Sequence, residues 1–491
     1  YLLFELTKTG GGTFDNDAKA CYDRIIAALL MLISQLRGMP EEPCEMQAKL
    51  FQEMEYHLKT KMGVSEESHS HTDECPIFGT GQGNKSSGAY WLIISVLIIG
   101  LLQRKARGIE FRDPELKIHI HRTIDGFVDD TTVWCNRLMS ILANDRETIK
   151  TDLQITAQWW EELLHSTGGQ LELSKCFYYI IEWKFEADGT ARLVTPREQG
   201  EPIRITQSHN GQTIEIQQKD CDEAHRTLGV MQCPTSNQTA EKNRLKTKAD
   251  LLATQVRPAK LTLYDAVSLN RSIYLPGMRY SFASTSLTEK ELEEVQRKIV
   301  PTIANAMGYN RNMPRKVLFA PKSLGGAGLS HLYYEQGSQQ VLALLKQLRF
   351  RGSLGKTIQT AIQWFQLTIG TSFSAFEEPE YKIPHAVGHW LISCREFLEK
   401  SNCQLVIDNI YCVKPRREQD VILMEKAAET MEPKEVRAIN RCRLYLQIET
   451  LADITTARGD RLYTNVVNGN SNKLSRSTMI WPEQQLTLTH T

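Results

Sequence analysis

At 491 residues and 41% hydrophobic, the chain can bury several cores, and a prior of about 150 residues per domain gives two to four, which excludes a disordered tail. Eleven cysteines scatter from Cys21 to Cys442 with no C-x-x-C pair, which excludes a disulfide scaffold and a zinc knuckle and fits a reducing, intracellular compartment, nucleus or cytoplasm. Formal net charge is zero, 58 basic against 58 acidic residues, without the basic excess of many nucleic-acid binders, so any such interface must rest on local clustering.

The chain opens at Tyr1 with neither a Met nor a charged leader, and reads as a fragment. An apolar entry at 1–6 precedes a helix pattern at 22–36, a polar helix at 45–61 and a polar, exposed loop at 63–76. The longest apolar run, 89–102, falls short of the roughly 20 residues a membrane span needs, so it reads as a buried helix and no membrane partner is expected. Residues 117–124 alternate with period two, as a half-buried strand does. A helix is expected over 147–165, then strands and hairpins over 171–185 and 192–218, with Asn210-Gly211 as a tight turn.

From about 241 the pattern becomes mostly helical. Thr288-Glu289-Lys290-Glu291 is a capping box opening a helix whose apolar face is Leu292, Val295, Ile299 and Ile303. A glycine-rich turn at 324–328 leads into an acid-free stretch, 337–376, where Lys346, Arg349, Arg351 and Lys356 stand among apolar neighbours as candidate nucleic-acid contacts. A second basic stretch covers 242–260. The expected class is α+β with three regions, 1–236, 237–334 and 335–491.

Three islands carry chemistry. In Phe14-Asp15-Asn16-Asp17-Ala18 a strand ends, and Asp15 and Asp17, two apart, project to one face. A carboxylate there suits a hard divalent cation. In Phe127-Val128-Asp129-Asp130, adjacent aspartates sit at a hairpin turn between apolar flanks, an arrangement that is costly unless a cation neutralises it. One aspartate from the first island with this pair would hold two metals, the arrangement of polymerase centres. The third island, Gly79-Thr80-Gly81-Gln82-Gly83-Asn84-Lys85-Ser86-Ser87, runs into the apolar helix. Its glycines allow close approach to a base or sugar, but it lacks the G-K-[ST] ending of a P-loop.

The order and content of these islands resemble the reverse transcriptases, most closely those of non-LTR retrotransposons. The resemblance covers roughly 1–236 and implies a polymerase palm, an antiparallel sheet with packed helices, followed by a mostly helical thumb. It implies that Asp17, Asp129 and Asp130 bind two magnesium ions, or manganese, with the Ala18 carbonyl. It makes Tyr22 the gate that excludes a ribose 2′-hydroxyl, and Gln82, Gly83 and Ser87 nucleotide contacts. Gly168 to Cys176 looks like the motif whose lysine, here Lys175, protonates pyrophosphate, while an ordinary surface lysine is the competing reading. Arg226-Thr227-Leu228-Gly229-Val230 resembles the primer grip, with Leu228 and Gly229 at its tip. The implied partners are an RNA template, a DNA primer and deoxynucleoside triphosphates.

Departures from the family are Gly88 where Pro is frequent, Val128 where Ala is frequent, and the short sequence before Asp17, which leaves the fingers and their triphosphate clamp largely outside the chain. Weak primer binding and little synthesis by this chain alone are therefore expected. Two alternatives stand beside the main reading. An RNA-templated RNA polymerase usually has Gly before the aspartate pair and a polar residue where Tyr22 stands. A decayed palm would bind nucleic acid without catalysis. Asp15 is expected outside the catalytic cluster. His69, His71 and Cys75 are read as solvated loop residues, His119 and His121 as a surface strand face, and Trp159, Trp160 and Trp364 as core.

Overall fold

The computed structural model describes residues 1–19, 21–70, 72, 79–80, 85–136, 146–187, 189–310, 312–350, 352–386, 389–467 and 479–481. The architecture is α+β, as expected. A five-stranded sheet has the order Gln217–Gln218, Phe177–Ile181, Gly11–Asp17, Asp130–Asn136, Ile124–Phe127. Its central strand, Gly11–Asp17, runs antiparallel to both neighbours.

Strand alternation decides which residues meet helices and which meet the cleft. Phe14 and Asn16 turn towards the helices Ser87–Lys105 and Arg146–Ser166, packing with Ile94, Ile98, Leu153 and Trp160 in one core. The buried Asn16 side-chain oxygen accepts from Trp160 Nε1 at 2.9 Å and Thr131 Oγ1 at 2.5 Å, so its polarity is satisfied. Asp15 and Asp17 are thereby left on the opposite face.

Several expected elements differ in the structure. The helix expected over 22–36 is a 3-10 turn, Cys21–Arg24, and then a helix, Ala27–Leu36. The cause is tertiary: the Ile25 carbonyl accepts from Gly79 N–H and Ile26 N–H donates to the Thr167 carbonyl, so these backbone groups are spent on distant partners. The polar helix begins earlier, Glu41–Gln52, and Tyr56–Thr60 within its expected span is a strand. Tyr56–Thr60 pairs with Gly63–His69 in a hairpin that Gly63 turns at φ 136°, so part of the expected loop is strand.

The helix Ser87–Lys105 is long and apolar enough to cross a membrane by length and composition. It buries one face only. Tyr90, Trp91, Ile94, Ile98 and Leu102 lie in the core, while Leu92, Val96 and Leu101 are exposed, so the expected buried helix is buried on one side. The strand expected at 117–124 is His119–Arg122, with Ile120 buried and both histidines exposed. Asn210-Gly211 turns the hairpin of Arg204–Thr206 and Thr213–Glu215, with Gly211 at φ 70°.

Beyond Ser236 the chain is helical. A second core joins Thr239–Val256, Glu289–Gln296 and Ile299–Ala306 through Leu245, Leu292, Val295 and Ile303. The capping box at Thr288 and Glu291 is present, with the Glu291 N–H donating to Thr288 Oγ1 at 3.3 Å. The apolar face divides into two helices there, Glu289–Gln296 and Ile299–Ala306, where sequence periodicity gives one. The helix Leu332–Phe350 contributes Leu332 and Tyr333 to this core and Leu344 to a third. That third core gathers Trp364, Phe365 and Phe376 with Leu3 and Leu6 from the first helix. Trp364 Nε1 donates to the Arg112 carbonyl at 2.7 Å, so the C-terminal helices seat against the sheet domain.

Candidate active site

The register of the central strand pair builds the site. Asp17 lies directly across from Asp130. Ala18 N–H donates to the Asp129 carbonyl at 3.3 Å, which ties the hairpin turn to the end of the central strand. The turn itself is strained: Val128 has φ 59°, unusual for a β-branched residue. Trp91 Nε1, from the apolar helix, donates to the Val128 carbonyl at 2.5 Å and helps to hold it.

On the other flank, residues 168–176 dock on the same strand end. Lys19 N–H donates to the Gln170 carbonyl and Glu172 N–H to the Asp17 carbonyl. Gly168, at φ 90°, presses so closely on the Arg24 carbonyl that a Cβ there would clash. Docking delivers Lys175, whose Nζ lies 2.6 Å from Asp17 Oδ2. That contact holds the Lys175 ammonium above the ordinary lysine pKa.

Three aspartates and one lysine thus share one end of the sheet. Partial burial raises the Asp130 pKa, with Asp129 and Asp17 adding to the shift and Lys175 opposing it. Like charges placed directly across a strand pair destabilise it, and no arginine meets Asp130 or Asp129 among the described residues. The Ala18 carbonyl accepts no hydrogen bond among the described residues. Among the described residues, the group whose ligand atoms all lie within 4.8 Å of one another is Glu289, Glu293 and His331; the carboxylates of Asp17, Asp129 and Asp130 are spread more widely and would have to draw together around a hard divalent cation.

Asp15, expected outside the cluster, is held by hydrogen bonds from Thr132 and Thr13. It lines the same cavity of about 530 Å³ as Asp17 and Asp130. Thr132 Oγ1 donates to it at 2.6 Å, and burial pushes its carboxyl up to about 6, with Asp130 adding to the shift. Period-two spacing from Asp17 was the signal that placed it here. The cavity also takes in Phe177, Lys219 and His225, none of them singled out by the sequence. Lys219 Nζ sits 5.1 Å from the Phe177 ring centre, and the His225 ring centre 4.1 Å from it.

The remaining site residues distribute as follows. Tyr22 is half-buried beside Asp129, whose charge adds to burial and to Cys21 in raising its phenol. Thr80 N–H donates to the Tyr22 carbonyl at 2.8 Å and Ser87 Oγ to the Thr80 carbonyl at 3.1 Å, so Ser87 is joined to Tyr22 through Thr80. Gln82, Gly83 and Arg351 lie outside the described residues, as do His71 and Cys75. Leu228 lines the cavity and, with Gly229, forms the two-residue turn between His225–Thr227 and Val230–Gln232.

Lys346 and Arg349 line a separate concavity with Leu342, Leu345 and Phe350, away from the aspartates. Neither they nor Lys356 has an ion pair among the described residues. The stretch 242–260 differs, because much of its charge is internally paired: Lys242 with Glu294 at 2.7 Å, Arg244 with Glu241 at 2.6 Å, and Lys246 with Asp250 at 3.7 Å.

No protein-family model and no curated protein matches this chain. Among solved structures, the chain is similar to telomerase from Candida tropicalis in complex with a fragment of telomeric RNA, at 11% identity and a TM-score of 0.25. That alignment covers 74% of this chain and 51% of the other. Apo telomerase from the same organism gives 12% identity and a TM-score of 0.22, covering 73% and 53%. The chain spans about half the length of these two structures.

Proposed function

We propose that the chain carries a reverse-transcriptase centre of retrotransposon type, adding deoxynucleotides to a DNA primer on an RNA template. The observation that carries this reading is the register that sets Asp17 directly across from Asp130, next in sequence to Asp129, with Asp17 and Asp130 lining a cavity that reaches Leu228. Two magnesium ions, or manganese, held by these carboxylates and the Ala18 carbonyl, would activate the primer 3′-hydroxyl and steady the leaving pyrophosphate.

The chain's own residues supply the rest. Lys175, charged at neutral pH and paired with Asp17, would give a proton to pyrophosphate. The Tyr22 ring, within electrostatic reach of Asp129, would by its bulk discriminate against a 2′-hydroxyl. This aromatic gate favours the DNA-synthesising reading over an RNA-templated RNA polymerase. Binding of template and primer away from the centre falls to the unpaired Lys346, Arg349 and Lys356, through phosphate contacts that weaken with salt.

Manganese titration followed by electron paramagnetic resonance tests the cation site. Binding should be strong in the wild-type chain and lost in Asp17→Asn and Asp129→Asn. Equal binding by all three proteins would reject the assignment.

A further inference from the structure

The turn at Leu228–Gly229 has both residues at positive φ, 49° and 84°, between the paired residues Thr227 and Val230. This is the mirror-image two-residue hairpin turn, whose first position favours Asn, Asp or Gly. A leucine there is strained, because its Cβ crowds the following carbonyl. Strain of this kind persists only where surrounding structure over-determines it. The leucine is also 41% exposed and lines the cavity that contains Asp17 and Asp130, so burial of its side chain does not hold it.

The base of the hairpin is held from the helical region. Met231 N–H donates at 3.0 Å to the buried Glu241, which is paired with Arg244. The tip has one further anchor. Tyr280, just past the helix Leu275–Arg279, donates its hydroxyl to the Leu228 carbonyl at 2.7 Å. Its ring also backs the turn, since a Cβ built on Gly229 would lie 3.4 Å from the Tyr280 ring edge. The neighbouring Arg279 is fixed to Glu335 at 2.6 Å, so the anchor point is itself braced against the helix Leu332–Phe350. Tyr280 is 66% exposed, so packing gives little reason for its placement.

We infer that Tyr280 is a positioning residue: its hydroxyl clamps the strained Leu228 carbonyl so that the Leu228 side chain is presented to the terminal nucleotide of the primer strand. The clamp adds a hydrogen bond at the tip to the Met231–Glu241 bond by which the helical region holds the base of the hairpin. The inference rests on the polymerase reading of that cavity, whereas the clamp itself can be measured without it.

Two measurements on the full chain separate these parts. Hydrogen exchange of the segment 225–232 reads the clamp: Tyr280→Phe should exchange at least fivefold faster at 228–230. The double variant Tyr280→Phe with Leu228→Asn, whose new residue tolerates positive φ, should recover protection. Fluorescence of 2-aminopurine at the primer 3′ end, compared with an internal position on a DNA primer–RNA template, reads the positioning. Tyr280→Phe should lose at least threefold of the terminal signal change while the internal signal and the dissociation constant stay within twofold. Unchanged exchange overturns the clamp, and faster exchange with an unchanged terminal signal overturns the positioning role. If the wild-type chain gives no signal with any primer–template, the polymerase reading and the positioning role both fall, and the exchange result still decides the clamp.

Discussion

Asp130→Asn removes one charge from a pair that the sheet register forces together. Residues directly opposite in an antiparallel pair have Cβ atoms roughly 5 Å apart, and Asp17 faces Asp130 in this way. Two unit charges at roughly 5 Å repel by about 0.8–3 kcal/mol for effective dielectric constants between about 80 and 20. Asp130 is open to solvent, and Lys175 offsets part of the repulsion, which puts the net at about 1 kcal/mol. In EDTA the variant should therefore be more stable than the wild type by about that amount. With manganese at about 100 times its dissociation constant, the wild type should gain about 2.7 kcal/mol and the variant far less, reversing the order. Urea-dependent hydrogen exchange of the segments 11–17 and 130–136 isolates this region from the helical cores. A variant less stable than wild type in EDTA, or one that gains as much from manganese, would refute the reasoning.

Tyr22→Val should let the polymerase insert ribonucleotides, because the ring no longer meets the 2′-hydroxyl; primer extension with ribonucleoside triphosphates measures it, and unchanged sugar selection would make Tyr22 a core aromatic. Replacing Lys346, Arg349 and Lys356 together by Gln should lower the slope of log affinity against log salt by roughly three, about one per lost phosphate contact. A fluorescence-anisotropy salt series on primer–template would show an unchanged slope if these residues do not touch phosphates. His385 is buried, which lowers its imidazole from 6.5 to about 4 against the opposing hydrogen bond to the Ile369 carbonyl. Its neutral form is favoured by folding, so its contribution is full above about 6.5 and falls away as pH drops towards 4, by up to about 3 kcal/mol. Urea unfolding at pH 7 and pH 4.5 should show a smaller pH difference in His385→Gln than in wild type.

The strand Gly11–Asp17 and the hairpin turn at Asp129-Asp130 were legible because their signals are local. Period two puts Asp15 and Asp17 on one face, and apolar flanks around Asp129-Asp130 mark a turn. Family spacing makes Asp17 and not Asp15 the expected ligand, and period two accounts for Asp15 lining the same cavity. What the sequence could not show depends on distant partners. The break at Ile25–Ile26 is set by Gly79 and Thr167, and the pairing that silences Lys242 and Arg244 comes from Glu294 and Glu241. The 89–102 run is apolar all round, so composition alone could not tell that Leu92 and Val96 stay exposed. Phe177, Lys219 and His225 come together only through sheet order, which no short motif encodes.

RNA-templated extension of a DNA primer with magnesium, by the 491-residue chain and by a version extended at its N-terminus, tests the central claim most directly. The account predicts template-dependent addition of deoxynucleotides by at least the extended version, abolished by Asp129→Asn with primer–template binding retained. Binding without any addition by either version would contradict it.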